Sequence, residues 1–293
     1  MSFAAADFAP LERRPLLDLD PGLAELLPRD RRQVAGRSLY VDVRHICRGP
    51  LDLARLHAAS PTNIGVLLVD GMVWREVLLG DTVSAELLGP GDLIRPWDLV
   101  AGGEMLETRV RWSVVSEHAD AALLDRRFAA ELSSHPEVNV ALIDRVNARA
   151  ARLAITQAIS QLQRVDQRLT ALFAHLSERW GRMTADGVVL PLRLSHRMLG
   201  HLIGARRPTV SSAIGELARA GELVRLPNES WLVRCGPAAH ARPAAPQIKP
   251  RRPVLVAQTL RNESRAQPVE DPVFGGRFVR APAQADVPAA AVQ

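Results

Sequence analysis

Two-thirds of the way along this 293-residue chain, Ser195, Gly204, Pro208 and Gly221 punctuate an apolar pattern that admits few folds. Ser195 is a good N-cap for a short helix whose inner side would be Met198, Leu199, Leu202 and Ile203. Gly204 permits the left-handed conformation that a tight helix-to-helix turn needs. Pro208 suits the first turn of a second helix, where its missing N–H costs nothing, and Val210, Ile214 and Leu217 give that helix an inner face. Gly221 stops it. Leu223–Leu226 and Ser230–Val233 then read as two strands joined by Pro227, Asn228 and Glu229, so the segment reads as a winged helix-turn-helix.

The charge around this segment is one-sided. From Val188 through Gly215 there is no Asp or Glu, while Arg193, Arg197, Arg206 and Arg207 fall there beside His196 and His201. The formal net charge of +5 says little alone, but its concentration here points to an anionic partner, and double-stranded DNA fits best. The second helix, at about 207–220, is expected to be the recognition helix, with its start in the major groove. Ser195, Arg197, Arg206, Arg207, Thr209, Ser211 and Ser212 are the expected DNA-contacting residues, Arg serving guanine and Ser or Thr reaching bases or phosphates. An αα-hairpin used only for packing has the same helical pattern. The missing acids and the following hairpin favour DNA.

The rest of the chain divides by composition. With 47% hydrophobic residues there is enough apolar surface for a sizeable core, and 293 residues allow two ordinary domains. Residues 1–20 carry Pro10 and Pro15 among charges and are expected to form a flexible arm. Residues 21–134 open on a helical turn through Leu23, Leu26 and Leu27. They continue in short Val/Leu/Ile runs punctuated by Gly65, Gly71, Gly80, Gly89 and Gly91, read as turns of a compact β-roll or barrel. Between Asp120 and Ser160 helix formers take over and Pro136 separates two helices. In the second, at 135–160, Ile143, Val146, Ala150 and Leu153 form a heptad-like stripe, suited to pairing with a symmetry mate or to facing the subunit's own core. Residues 161–236 hold the winged helix-turn-helix, led by a helix with an apolar face from Val165 to Trp180 and ended by Gly181. The Pro/Ala-rich, mildly basic tail at 237–293 is expected to be disordered. The fold class is therefore α+β.

The run Leu199-Gly200-His201-Leu202-Ile203-Gly204-Ala205-Arg206-Arg207-Pro208-Thr209-Val210-Ser211 resembles the signature of the Crp/Fnr superfamily of bacterial transcription regulators. The order of elements is similar as well: a β-roll with a Gly-Pro-Gly-Asp turn at Gly89–Asp92, a long dimerisation helix, then a winged helix-turn-helix. The resemblance spans about Leu23 to Val233. It implies a homodimer on a two-fold symmetric or near-symmetric DNA site, with RNA polymerase as a further partner. Arg207 matches the first residue of the family's base-contacting helix start. Pro208 stands where an acidic residue is usual and Ser212 where a second arginine is common, so the half-site sequence is expected to differ from that of better-known relatives.

Cyclic-nucleotide-binding members of that family place a Gly-Glu pair and an arginine in a short loop, because ribose hydroxyls need a carboxylate and the cyclic phosphate a guanidinium. Glu104, after Gly103, and Arg109 or Arg111 are the counterparts here, but the loop length and flanking residues fit poorly, and no cofactor is expected. His45 and Cys47 share one face of an alternating strand. Two such residues without further partners read as ordinary strand side chains, so no metal is expected either. No nucleophile motif, metal-ligand cluster or phosphate loop marks an enzyme. Cys47 and Cys235 lie far apart, no signal pattern opens the chain, and no run of eighteen apolar residues occurs, so a cytoplasmic protein without a membrane partner is expected. The alternative is a small-molecule-binding sensor that acts through a protein partner without reading DNA itself.

Overall fold

The computed structural model describes residues 11–52, 56, 62–95 and 107–234. The N-terminal part runs β1 (Glu12–Pro15), α1 (Leu16–Leu19), a 3-10 turn (Pro21–Ala24), α2 (Arg29–Ser38), β2 (Tyr40–Pro50), β3 (Asn63–Leu79), β4 (Thr82–Leu88), β5 (Leu93–Ile94) and β6 (Thr108–Asp125). These strands form one antiparallel sheet in the order β1-β2-β6-β3-β4, with β5 also on β3. Two strands of this sheet, β3 and β6, are 17 and 18 residues long. Strands of that length cannot stay flat, and their ladder is broken between Asn63 and Gly65, Leu68 and Asp70, and Gly71 and Val73. Each bulge bends the pair, which curls the sheet into a roll. Ile46, Leu51, Leu56, Val66, Leu68, Val73, Leu88, Ile94, Val114 and Leu123 fill its interior.

Two expectations change here. Gly65 and Gly71 are not turns between strands but interior positions of β3 beside its bulges; Gly80, Gly89 and Gly91 do lie outside the strands. The arm expected for residues 1–20 is ordered structure from Glu12 onward. β1 pairs with β2 from Glu12 opposite Val43 to Pro15 opposite Tyr40. Leu16 and Leu17 are buried with Leu23, Leu27, Leu39, Phe128 and Val138 in a second core on the outside of the sheet. Pro15 is tolerated because β1 is an edge strand, and Pro21 because it opens a 3-10 turn. Residues 1–10 and the tail lie outside the described residues.

Two helices follow the roll, as read from the sequence: α3 (Arg126–Leu132), N-capped by Asp125 Oδ1 accepting from Phe128 N at 2.8 Å, and α4 (Pro136–Ser160). Then come α5 (Val165–Trp180), β7 (Arg182–Thr184), β8 (Gly187–Leu190), α6 (His196–Ile203), α7 (Arg207–Arg219), β9 (Leu223–Arg225) and β10 (Trp231–Val233). The four strands make a second antiparallel sheet, β7-β8-β10-β9, so the wing hairpin β9–β10 extends a β7–β8 hairpin that the sequence reading did not anticipate. The α5 face Leu169, Leu172, Phe173 and Leu176 packs with Leu199, Leu202, Val210, Ile214, Leu217 and Trp231 into a third core. That core also takes in Trp74, Ala85 and Leu87 from the roll. The helix-turn-helix is thus packed on the roll's sheet and shares a core with it.

Candidate nucleic-acid interface

The local signals around Ser195 produce the geometry they imply. Ser195 Oγ accepts from Met198 N at 3.2 Å and opens α6, whose Leu199, Gly200, Leu202 and Ile203 are buried. Gly204 ends it in the left-handed region at φ 66 and ψ 42. Ala205 N then donates to Gly200 O at 2.9 Å, and a Cβ on Gly200 would lie 2.5 Å from the Ala205 carbonyl oxygen. Only glycine allows the turn to close this tightly against the helix. Arg168, on α5, donates to the carbonyls of Ile203 at 3.2 Å and Gly204 at 3.4 Å, satisfying acceptors that the end of α6 leaves open. Nothing in the residues around Arg168 signals that role, because its acceptors lie 35 and 36 residues away.

Arg206 is the extended N-cap residue of α7 and Pro208 lies in its first turn. Val210, Ala213, Ile214 and Leu217 face inward, which leaves Arg206, Arg207, Thr209 and Ser212 exposed at the helix start, with Ser195 and Arg197 exposed on α6. Ser211 is half-buried: its Oγ donates to Arg207 O at 3.0 Å and lies 2.8 Å from His196 Nδ1. With the hydroxyl proton on the carbonyl, Nδ1 of a neutral His196 is the donor. Ser212 Oγ donates to Pro208 O at 3.2 Å. Of the seven expected contact residues, Arg197, Arg206, Arg207 and Thr209 therefore face solvent free of these bonds, whereas the three serine hydroxyls already serve the protein's own backbone.

The electrostatics add residues that were not singled out as contacts. Burial, followed by the charges of Arg225 and Arg207, holds the His196 imidazole below its ordinary value of 6.5. Arg225, on the wing strand β9, also stands 5.4 Å over the Trp231 ring. The start of α7 and the wing thus bring cationic side chains to bear on one place; Glu229 of the wing turn pairs with Arg225 at 3.5 Å and with Arg193, exposed in the segment leading to α6, at 3.8 Å. The first acidic residue on α7 is Glu216, near its far end. An acid-free, N-terminal helix surface with arginines on both sides attracts polyanions, because the unsatisfied N–H groups of the first turn add to the field.

The helix behind this surface has two different faces. On one, Arg145 donates to Asp20 at 2.9 Å, Arg149 to both oxygens of Glu86 at 2.8 Å, and Arg152 to Asp92. Asp92, fully buried in the Gly89–Asp92 turn, also accepts from Gly89 N at 2.8 Å and pairs with Arg179 of α5 at 2.9 Å. A single carboxylate of the roll therefore joins α4 to α5. On the seam with α6, His201 Nδ1 lies 3.1 Å from Glu76, which also pairs with Arg111 at 3.3 Å. The other face of α4 carries the expected stripe. Ile143, Val146 and Leu153 are 52%, 47% and 39% exposed, Ala150 is exposed between them and Val140 continues the stripe at 48%. The subunit's own core takes Val138, Ala141, Leu142 and Ile159 instead, which removes the core-facing alternative for the stripe.

Arg109 is exposed on β6 and pairs with Glu107 at 2.8 Å; Glu104 lies outside the described residues.

Residues 167–231 match the family model of the Crp-like helix-turn-helix domain. The chain is 31% identical over 176 residues to the regulatory protein CysR of Synechococcus elongatus, an alignment covering 56% of this chain and 75% of that protein. Among solved structures it is similar to a cyclic nucleotide-binding domain containing protein from Listeria monocytogenes, with TM-score 0.52 and 17% identity over 73% of this chain and 97% of that one. It is also similar to a CooA variant from Carboxydothermus hydrogenoformans, with TM-score 0.51 and 16% identity over 66% of this chain and 83% of that one. These two likenesses are of fold: a roll followed by a helix-turn-helix. With the CysR match over three-quarters of that protein and a DNA-binding helix-turn-helix of the Crp type, the chain belongs to the Crp/Fnr family of transcription regulators.

Proposed function

We propose that this regulator works as a homodimer that reads a two-fold related DNA site, with the start of α7 in the major groove and the β9–β10 wing beside it. The observation that carries the reading is the exposed set Arg197, Arg206, Arg207 and Thr209 on a surface with no acidic residue from Val188 through Gly215. Arginine at such a helix start is suited to guanine or to phosphate, and flanking cations add the sequence-independent attraction that every DNA reader needs. The dimer half of the reading rests on α4. Single exposed apolar residues are ordinary, but Val140, Ile143, Val146 and Leu153 recur on one helix face, while another face of the helix is pinned by Arg149 and Arg152 to the roll and by Arg145 to Asp20 beside the 3-10 turn. Pairing that stripe with its symmetry mate would remove it from water and set two recognition helices at a fixed spacing. The place of action we propose is the cytoplasm; among the described residues no helix is long and apolar enough to cross a membrane.

The test is retention of genomic fragments by the full chain at two salt concentrations, followed by sequencing. An inverted repeat enriched among retained fragments, with affinity falling steeply as salt rises, is expected. Retention of no fragment, or a set without a shared repeat, contradicts it.

A further inference from the structure

On the outer face of the roll, far along the sequence from the DNA-reading helices, four ionisable side chains from three adjacent strands converge. β2, β6 and β3 lie side by side, and the register sets His45 opposite Asp120 and Asp120 opposite Asp70, with Cys47 opposite His118 in the next row. His45 Nδ1 is 2.7 Å from Asp120 Oδ1, and His118 Nε2 is 3.1 Å from Asp70 Oδ2. The two imidazoles stack on each other, with ring centroids 4.7 Å apart and an interplanar angle of 29°. One donor atom from each of His45, His118 and Asp120 lies within 4.8 Å of the others.

Either His–Asp contact alone is an ordinary cross-strand pair on a solvated sheet face. Their convergence is not: two imidazoles held against each other and edged by two carboxylates form a mixed nitrogen and oxygen donor set. The geometry points to a divalent transition-metal site of the zinc class, held by His45, His118 and Asp120, with Asp70 supplying a further carboxylate at the His118 ring. Imidazole nitrogen selects borderline ions such as Zn²⁺ over Mg²⁺ and Ca²⁺, which prefer all-oxygen sets, and over soft ions that require thiolates. Donors at roughly 2.0–2.2 Å from one ion lie about 3–4 Å from each other, so the observed spread closes by side-chain rotation. All four side chains are at least partly exposed and have room to make it.

The backbone beneath is fixed. Ser116 Oγ donates to the His118 carbonyl and accepts from Met72 N at 2.8 Å, and Gly71 approaches so closely that a Cβ there would lie 2.2 Å from His118 O. The β3 bulge thereby pins His118 next to Asp70, a preorganised support for a ligand set. The sequence hid the cluster because the partner of His45 is 75 residues away, on β6.

Tag-free full-length protein, stripped with a chelator, is titrated with Zn²⁺ against a chromophoric competitor, and with Co²⁺ for visible d–d bands. One ion per chain, bound at micromolar concentration or tighter, is expected. The H45Q/H118Q double variant should lose more than the ~10–100-fold that removal of a merely orienting partner costs. Its circular dichroism and melting in the absence of metal should match wild type, since both side chains are exposed on the sheet; the single variant H45Q provides the same comparison if the double variant melts early. No saturable binding by wild type, or equal affinity in the folded variants, overturns the assignment and leaves two unrelated ion pairs.

Discussion

Arg149 holds Glu86 through two parallel hydrogen bonds of 2.8 Å each, Nε to one carboxylate oxygen and Nη2 to the other. The pair fastens α4 to strand β4, and Arg75 adds a third bond at 3.0 Å. Burial pushes the Glu86 carboxyl up, but the hydrogen bonds and charges of Arg149, then of Arg75, outweigh it and hold the group below 4.5. A carboxyl depressed in the folded state contributes stability that is present above its unfolded value and lost as pH falls through the folded one. Arg149→Ala should therefore cost about 1–3 kcal/mol at neutral pH, with Arg75 still in place. The difference from wild type should shrink as pH falls below 4.5, where the unfolded chain takes up the proton first and folded Glu86 follows at lower pH. Urea unfolding of both proteins at neutral pH and at about pH 3 checks this; an unchanged difference at the two values would show that the ion pair does not carry the coupling.

Gly200 and Gly215 should respond oppositely to alanine. Both are helical, and alanine is the better helix former by about 1 kcal/mol. Nothing lies within 4 Å of a Cβ at Gly215, so Gly215→Ala should raise stability by ~0.4–1 kcal/mol. At Gly200 the Cβ would meet the Ala205 carbonyl at 2.5 Å, and backbone at a tight turn cannot step aside. Gly200→Ala should lose roughly 1–3 kcal/mol, overpacking outweighing propensity. Thermal melts of the two variants without DNA should move in opposite directions.

Replacing Val146 and Leu153 by glutamate places charges in the exposed α4 stripe without touching the subunit's core. Light scattering should give twice the chain mass for wild type and a single chain mass for the double variant. A wild-type monomer at micromolar concentration, or a variant that keeps the doubled mass, contradicts dimerisation through this face.

Cyclic AMP and cyclic GMP should leave the melting temperature and DNA affinity unchanged. Arg109 is exposed and engaged by Glu107, and the roll's interior is filled by its own aliphatic side chains. A ligand of the folded state alone would stabilise it by ~2.7 kcal/mol at a hundredfold excess over Kd. A saturable thermal shift with either nucleotide would therefore show binding and reopen the case for Glu104 and Arg109.

The helix-turn-helix was legible in the sequence because its determinants are local. The Ser195 cap, the Gly204 turn, the Pro208 start and the inward Val210, Ile214 and Leu217 each act within a few residues of themselves. What went unread depends on distant partners. β1 exists only through its pairing with β2, so residues near Pro15 pass for an arm. Gly65 and Gly71 look like turns because a bulge inside a long strand has the same composition as a break between two short ones. Arg145, Arg149 and Arg152 carry no signal of their own, since Asp20, Glu86 and Asp92 lie 125, 63 and 60 residues away. The serines of the helix start were legible as polar and small, but not as already bonded to the backbone.

If the start of α7 reads bases, Arg207 and Arg206 separate base reading from mere attraction. Arg207 is the first residue of the helix and Arg206 its N-cap, and both are exposed. A side chain on the helix start reaches the groove floor, whereas one on the preceding residue has phosphate as its nearer target. Arg207→Ala should cost ~1–3 kcal/mol on the preferred site and relax selectivity at one symmetric pair of positions. Arg206→Ala should weaken binding to all sequences alike and lower the salt slope, since fewer counterions are released. Binding-site selection on wild type and both variants, repeated at two salt concentrations, measures the difference. The expected result is a consensus changed by Arg207→Ala alone; wild-type affinity and an unchanged consensus in both variants would contradict reading by this helix.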